Sequence, residues 1–473
     1  MDIKKTIFGV FSTRLISMLF QSLGLVYFAQ ELGAEKLGVF ILFQTCLTLL
    51  SLAADFGVDD AIEKRISEQN HSATLGSALL LKSSFLIFIS ILIILFSNNI
   101  NDYIGQPLSH FLLIALIPNQ LRIIIMRTLE GELKVQRAAN VSLIQNVLFV
   151  LIGASFVYFN FGVRGLVYSI IMSNLISVTF GVFGIDTELG MPSKAMLKSL
   201  VKFGSHNFIA SIVHTSVYDW LDTLLIGLFL TQSHVAAYEV AWKVASMIML
   251  LSSAIADTIF PQISHWDAQG NRESIQNILP NTLITSLVIV FPAIVGGVIY
   301  GREILHFIFG SEFAIANTAL VILLLGKIPE GIDRILGRFL LAIDESKLAS
   351  YAAGLFIILN IPLNIILINV IGITGAAIAT VTSYSANTAL TAYYLNSFID
   401  LRINITQLII TLVSSACMGV LLLILNTIIY INSQIKLIFA IFLGAVIYFT
   451  FLLSSSTMRE QVLSNVDDLI PFM

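Results

Sequence analysis

The chain has 473 residues, 57% hydrophobic and only 11% charged, with a mean hydropathy of +0.91. An ordinary soluble domain carries about 25% charged residues, so the composition excludes that class and points to an integral membrane protein. The net charge of −4 says little about partners, and Cys46 and Cys417, in separate apolar stretches, indicate neither a disulfide framework nor a zinc site.

From the N-terminus, Lys4 and Lys5 precede the apolar run Thr6 to Gln30, which Arg14 interrupts. The run is too long for the apolar region of a secretory signal and no small-residue cleavage site follows, so it reads as a retained first helix. Further apolar runs, each long enough to cross a hydrocarbon core of ~30 Å, predict about 14 helices. They cover roughly 6–30, 37–62, 75–97, 108–130, 139–159, 162–185, 205–230, 236–262, 278–300, 314–341, 348–369, 375–398, 406–429 and 434–455. A barrel is excluded because its strands would alternate apolar and polar residues. With the N-terminus inside, the inward segments hold Lys4, Lys5, Lys64, Arg65, Lys134, Arg137, Lys194, Lys198, Lys202, Arg272, Lys347, Arg402 and Arg459, against Lys36, Arg164, Arg302 and Lys436 outside. That asymmetry puts both termini in the cytoplasm. Residues 186–204 form a cytoplasmic linker, in which "SKAMLKSLVKFG" has the helical spacing of apolar residues and lysines expected of a surface-lying helix.

The linker separates two halves that resemble each other. Residues 37–67 align with 235–265 at a constant offset, matching Phe40 with Tyr238, Asp59 with Asp257 and Ile62 with Phe260, and "FGVRGLVYS" (161–169) aligns with "IGITGAAIA" (371–379). A duplicated six-helix unit follows: an N-lobe over 1–185, a C-lobe over 205–400, and two further helices with a cytoplasmic tail over 401–473. Parallel repeats of this kind build two-lobed transporters with a central cavity.

An arginine in helix 1 followed by "LGAEKLGVF", then "ADFGVDDAIEKRISE", "AAYEVAWKVASMIML", "IFPQIS", "IFGSEFAIA" and "GITGAAIAT" occur in an order and spacing that resemble the multidrug, oligosaccharidyl-lipid and polysaccharide (MOP) exporter superfamily. Within it the chain looks like the polysaccharide-type flippases, over about residues 1 to 400. The resemblance implies a non-enzymatic transporter that turns a polyprenyl-diphosphate-linked oligosaccharide from the cytoplasmic to the outer face of the cell membrane, in the company of membrane lipid and glycan assembly enzymes. A cation-coupled drug antiporter of the same superfamily is the alternative, and a membrane glycan polymerase or ligase a more distant one, since no large outward loop is present. No Gly-rich phosphate loop, HExxH, GxSxG or CxxC occurs, and no nucleic-acid partner is implied.

A charge at the bilayer centre costs ~2.5–3.5 kcal/mol on insertion scales, so charges within the spans carry the candidate site. Arg14 and Arg122 lie deep, with no evident partner on their own helices; Lys82, Arg127 and Arg338 lie nearer helix ends, from which they are expected to snorkel. Glu239 and Lys243, four apart, can pair with each other or supply a cationic field, and Lys327, Glu330, Arg334 and Arg338 form one polar stripe. Arg14, Arg122, Lys243, Glu239 and Arg334 are the candidate substrate-binding residues. Asp219 and Asp222 share a helical face in helix 7, where two carboxylates need a cation, a proton or a basic partner. Resemblance to the lipid II flippases implies a sodium site on helices 7, 11 and 12, here offered by Asp219 or Asp222 with Asn360, Asn364 and Thr380. Neither residue of the helix 11 pair is a carboxylate, which lowers the charge available to Na+. Asparagines bonding across helices are the other reading of that pair. Na+ or H+ is thus the expected coupling ion, with no other cofactor.

Overall fold

A computed structural model describes residues 3–68, 72–214, 217–428, 431–456 and 458–459. The architecture is all-α and membrane-spanning: among the described residues ten helices are long and apolar enough to cross a bilayer, or eleven if one bent pair is a single span. Contacts divide the chain into two compact units, Met1–Ala236 and Ala237–Met473.

The first unit contains α1 (Ile3–Asp55), α2 (Val58–Ser67), α3 (Ser72–Leu95), α4 (Ser97–Ile104), α5 (Ser109–Gly131), α6 (Val135–Tyr158), α7 (Gly162–Val182), α8 (Lys194–His214), α9 (Val217–Phe229) and the start of α10 (Gln232–Met247). The second contains the rest of α10, then α11 (Met249–Ala268), α12 (Arg272–Leu287), α13 (Val290–Ile304), α14 (Asn317–Ala342), α15 (Ser346–Ile371), α16 (Ile373–Asn396), α17 (Ile405–Ile428) and α18 (Gln434–Ser454). At 53 residues, α1 would be ~80 Å long if straight, far more than a bilayer needs. It is broken at Gly33, whose φ of 74° and ψ of 173° suit a residue without a Cβ, so it supplies the first two predicted spans. The second span ends earlier than its apolar pattern predicts. Phe56 and Gly57 take positive φ of 46° and 76°, and the chain restarts as α2. Asp55 spans this break by accepting from the amides of Gly57 at 3.0 Å and Asp59 at 2.8 Å.

Each unit repeats the other's local geometry. Leu133, between α5 and α6, and Asp344, between α14 and α15, both adopt left-handed φ, 59° and 63°. The following amides close the same turn, Lys134 to the Leu129 carbonyl at 2.8 Å and Glu345 to that of Leu340 at 2.9 Å. Gly162 and Gly372, at the starts of α7 and α16, have φ of 58° and 64°, and Pro118 within α5 has its counterpart in Pro329 within α14. α17 and α18 belong to the second unit, where Tyr448 donates to the Val288 carbonyl at 2.6 Å. Leucines and isoleucines such as Ile87, Ile91 and Ile94 on α3 point outward, as lipid-facing positions do.

Candidate functional site

Arg14 is exposed on α1 and, among the described residues, joins no hydrogen bond or ion pair, although its charge acts on Glu130. At 100° per residue it shares a face with exposed Gln21, and buried Ser17 lies between them. Leu15, Leu19 and Leu23, all exposed, form a separate stripe further round the helix. The apolar stripe suits lipid; the arginine face suits water. On the adjoining turn Gln136 of α6 donates to Thr13 at 3.2 Å and to Asn140 at 3.0 Å, extending the polar character of this region.

Arg122 is differently placed. Its Nε donates to Asn174 of α7 at 2.8 Å, one Nη to Asn119 at 3.3 Å and the other lies 3.0 Å from the Met126 sulfur, so all three nitrogens are engaged within the unit. Asn119 in turn donates to the Ser51 hydroxyl at 3.0 Å.

The structure also joins residues that sequence reasoning kept apart. Lys82 does not snorkel: its side chain is 1% exposed and is held by Asp59, by Asp55 at 3.3 Å and by the Gln120 side-chain oxygen at 2.8 Å. Gln120 then donates to the Ser51 carbonyl at 2.7 Å, which ties α1, α2, α3 and α5 into one buried network. Burial without snorkelling follows because two carboxylates converge at the α1–α2 break, just where the lysine ammonium arrives from α3. Arg127, expected to snorkel, is instead shared between Asp60, Glu63 and Glu130 at 2.9–3.4 Å. In the second unit Arg338 meets Asp257 at 2.6 Å and lies over the Phe260 ring at 5.6 Å.

The α14 stripe is an ion-pair ladder. Glu330 accepts from Lys327 at 2.6 Å and Arg334 at 3.0 Å, while Arg334 also donates to Ser253 of α11 at 2.7 Å. Asp333 accepts from Thr391 of α16 at 2.8 Å. Glu239 is buried, and Lys243, 47% exposed, lies 3.7 Å from it and 4.9 Å from the Trp242 ring centre. Lys327 approaches the same ring at 5.5 Å. Lys243, Arg334 and Arg338 therefore present partly exposed cations in the second unit, whereas Lys327 is buried.

Of the predicted coupling residues, Asp222 on α9 is buried in the first unit, and the side chain of Asp219 lies outside the described residues. In the second unit Asn360 donates to the Thr380 hydroxyl at 3.4 Å and Asn364 to the Asn360 carbonyl at 3.0 Å, so α15 and α16 bring these three residues together in buried positions. Amide and hydroxyl oxygens are the donor type a hard cation takes. Among the described residues no group of three or more His, Cys, Asp or Glu converges on a possible metal position.

Fold and site together define a two-unit, all-helical membrane transporter. The structure of the lipid II flippase MurJ in an inward closed conformation superposes with a TM-score of 0.80 at 17% identity, covering 97% of this chain and 99% of that one. An inward-facing multidrug resistance MATE transporter of the MOP superfamily follows with a TM-score of 0.63 at 16% identity, covering 80% and 93%. In sequence, residues 28–317 match the polysaccharide biosynthesis protein family, and residues 204–450 match the lipid II flippase MurJ family. The chain is 36% identical to the probable low-salt glycan biosynthesis flippase of Haloferax volcanii over 100% of both chains. It is 28% identical to a second probable flippase of that organism over 92% of this chain and 93% of the other. The chain thus belongs to the polysaccharide biosynthesis protein family.

Proposed function

We propose that the protein is a flippase that moves a polyprenyl-diphosphate-linked oligosaccharide from the cytoplasmic to the outer face of the cell membrane, by alternating access through a cationic cavity. Both termini lie in the cytoplasm in this reading, beside the enzymes that assemble the glycan. The chain itself breaks no covalent bond. The observation that carries the proposal is the exposed guanidinium of Arg14 within an apolar span, on a face distinct from the leucine stripe.

A diphosphate and a glycan cannot cross hydrocarbon without a substitute for their hydration. A guanidinium supplies charge together with a planar fork that matches phosphate oxygens, so Arg14 is assigned the diphosphate contact. Lys243 and Arg334 are assigned supporting roles in the second unit, with Glu239 and Glu330 holding them in place. Arg122, with its nitrogens already engaged, acts by shaping the first unit rather than by direct contact. Asp219 and Asp222, and within the second unit Asn360, Asn364 and Thr380, are assigned to cation coupling, with Na+ or H+ as the ion.

Deleting the gene in the native cell tests the function. The expected result is lipid-linked glycan accumulating on the cytoplasmic face and loss of the surface glycan, restored by the wild-type gene. Unchanged surface glycan with no accumulated precursor would reject it.

A further inference from the structure

We infer that the exposed lysine face of α8 is a binding surface for anionic phospholipid head groups. Its underside is already occupied. Met196 and Leu200 are buried against Val58, Ile62 and Leu75, and the Met196 sulfur lies 3.8 Å from the Thr74 hydroxyl. The preceding residues are fixed as well, since Ser193 donates its amide to Ser77 at 3.1 Å. At the other end of this segment, a Cβ at Gly57 would lie 2.4 Å from the Gly204 carbonyl oxygen, so the two backbones touch. The apolar side of the helix therefore cannot dip into lipid; it packs on protein, at the level where the membrane span of α3 begins.

On the opposite side Lys194, Lys198 and Lys202 are exposed at i, i+4 and i+8, and among the described residues none of them makes an ion pair. This arrangement works against the helix twice. Like charges four apart repel, and Lys194 stands in a first turn that has no acidic residue, where the helix dipole disfavours a cation. The neighbouring cations of α2 are already committed: Lys64 and Arg65 lie over the Phe203 ring at 4.6 and 5.8 Å and both reach Glu68. A rigidly held row of three lysines with no counter-charge of its own, beside the first turn of a membrane span, is complementary to a row of lipid phosphates. Each lysine at an anionic lipid surface is worth roughly a fivefold preference.

The inference does not depend on the transported substrate, because lipid retention is read without turnover. The purified protein is equilibrated with equal amounts of phosphatidylglycerol and phosphatidylcholine, and retained lipids are counted by native mass spectrometry. Wild type should retain phosphatidylglycerol at least about tenfold over phosphatidylcholine. The Lys194→Gln/Lys198→Gln/Lys202→Gln protein should lose most of that preference, and the corresponding triple arginine variant should keep it. Lys198→Gln alone, a single exposed change that leaves the packed underside intact, should lose about fivefold, which keeps the test valid if the triple variant misfolds. Undiminished preference in the glutamine variants would overturn the inference. So would displacement of the lipid by millimolar inorganic diphosphate but not by chloride at equal ionic strength, since that would assign the face to a soluble phosphate ligand.

Discussion

Replacing Lys82 with methionine keeps the length of the side chain and removes the ammonium that touches both Asp55 and Asp59. Removing one partner of a buried ion pair costs about 3–5 kcal/mol, because the other charge stays buried. Here the lower end applies, since the charges of Arg122 and Arg127 also reach Asp59. For a unit of this size ~3 kcal/mol corresponds to a fall of about 6–12 °C in melting temperature. Arg338→Met is the internal comparison. It breaks the Asp257 pair in the second unit, where the side chains are 40% and 55% exposed, and an exposed pair is worth less than about 1 kcal/mol. Thermal unfolding in detergent, followed by circular dichroism, should therefore separate the two variants clearly. Adding Asp55→Asn and Asp59→Asn to Lys82→Met should recover part of the loss. Both buried charges are then gone, while the single side-chain oxygen of an asparagine at position 55 can still accept from one of the two backbone amides, at positions 57 and 59, that the carboxylate caps. Equal melting of wild type and Lys82→Met, or a triple variant no better than the single one, would refute the buried-network reasoning.

Three further outcomes follow from other parts of the molecule. With Cys46 and Cys417 replaced, cysteines at Asn101 and Asn432 should react with an impermeant thiol reagent from outside, and one at Gln269 should not; the reverse pattern would invert the topology. Changing Asp219 and Asp222 to asparagine should leave substrate binding largely intact but abolish the dependence of turnover on a sodium or proton gradient, and wild-type turnover indifferent to both gradients would remove the coupling assignment. The linker should be released by acid. At Glu132 burial works to raise the carboxyl pKa, but hydrogen bonds from Lys134, the Thr187 hydroxyl and the amides of Thr187 and Asp186 outweigh it and hold it below its usual range. The bond from Lys134 likewise lowers Asp186. Depressed carboxylates stabilise the folded state above their unfolded pKa, and that contribution disappears as pH falls through the folded value. Hydrogen exchange at the Asp186 and Thr187 amides, corrected for intrinsic rate, should be protected at neutral pH and lose protection below about pH 4. Glu132→Gln should weaken that protection at all pH values, and pH-independent protection in wild type would contradict the assignment.

Most spans were legible because hydrophobicity specifies them, although 205–230, expected as one span, falls across the end of α8 and α9; the break inside α1 shows in the sequence as the polar, glycine-containing stretch between Gln30 and Leu37. The ion-pair ladder of α14 was legible too, because its members recur at helical spacing on one element. The partners of Lys82 were not. Asp55 and Asp59 come from a different hairpin arm, and hydropathy gives a charge its approximate depth without giving it a neighbour. The available signal was two carboxylates four apart near the end of one span and a lysine within the next. The fixation of the linker was equally hidden, because it rests on the bare backbone at Gly57 and on Glu132, which reads in sequence as an ordinary solvated loop charge. Arg122 looked partnerless only because its main acceptor, Asn174, lies two helices further along.

Arg14 is assigned the diphosphate of a lipid-linked oligosaccharide during its translocation. The direct measurement reconstitutes the protein in vesicles with that lipid and follows its exposure to an impermeant glycan-modifying reagent. Wild type should translocate. Arg14→Ala, inserted at equal level, should fall to the rate of protein-free vesicles, and Arg14→Lys should recover only part of the activity because the charge returns without the bidentate fork. Translocation by Arg14→Ala at the wild-type rate would remove the diphosphate from Arg14.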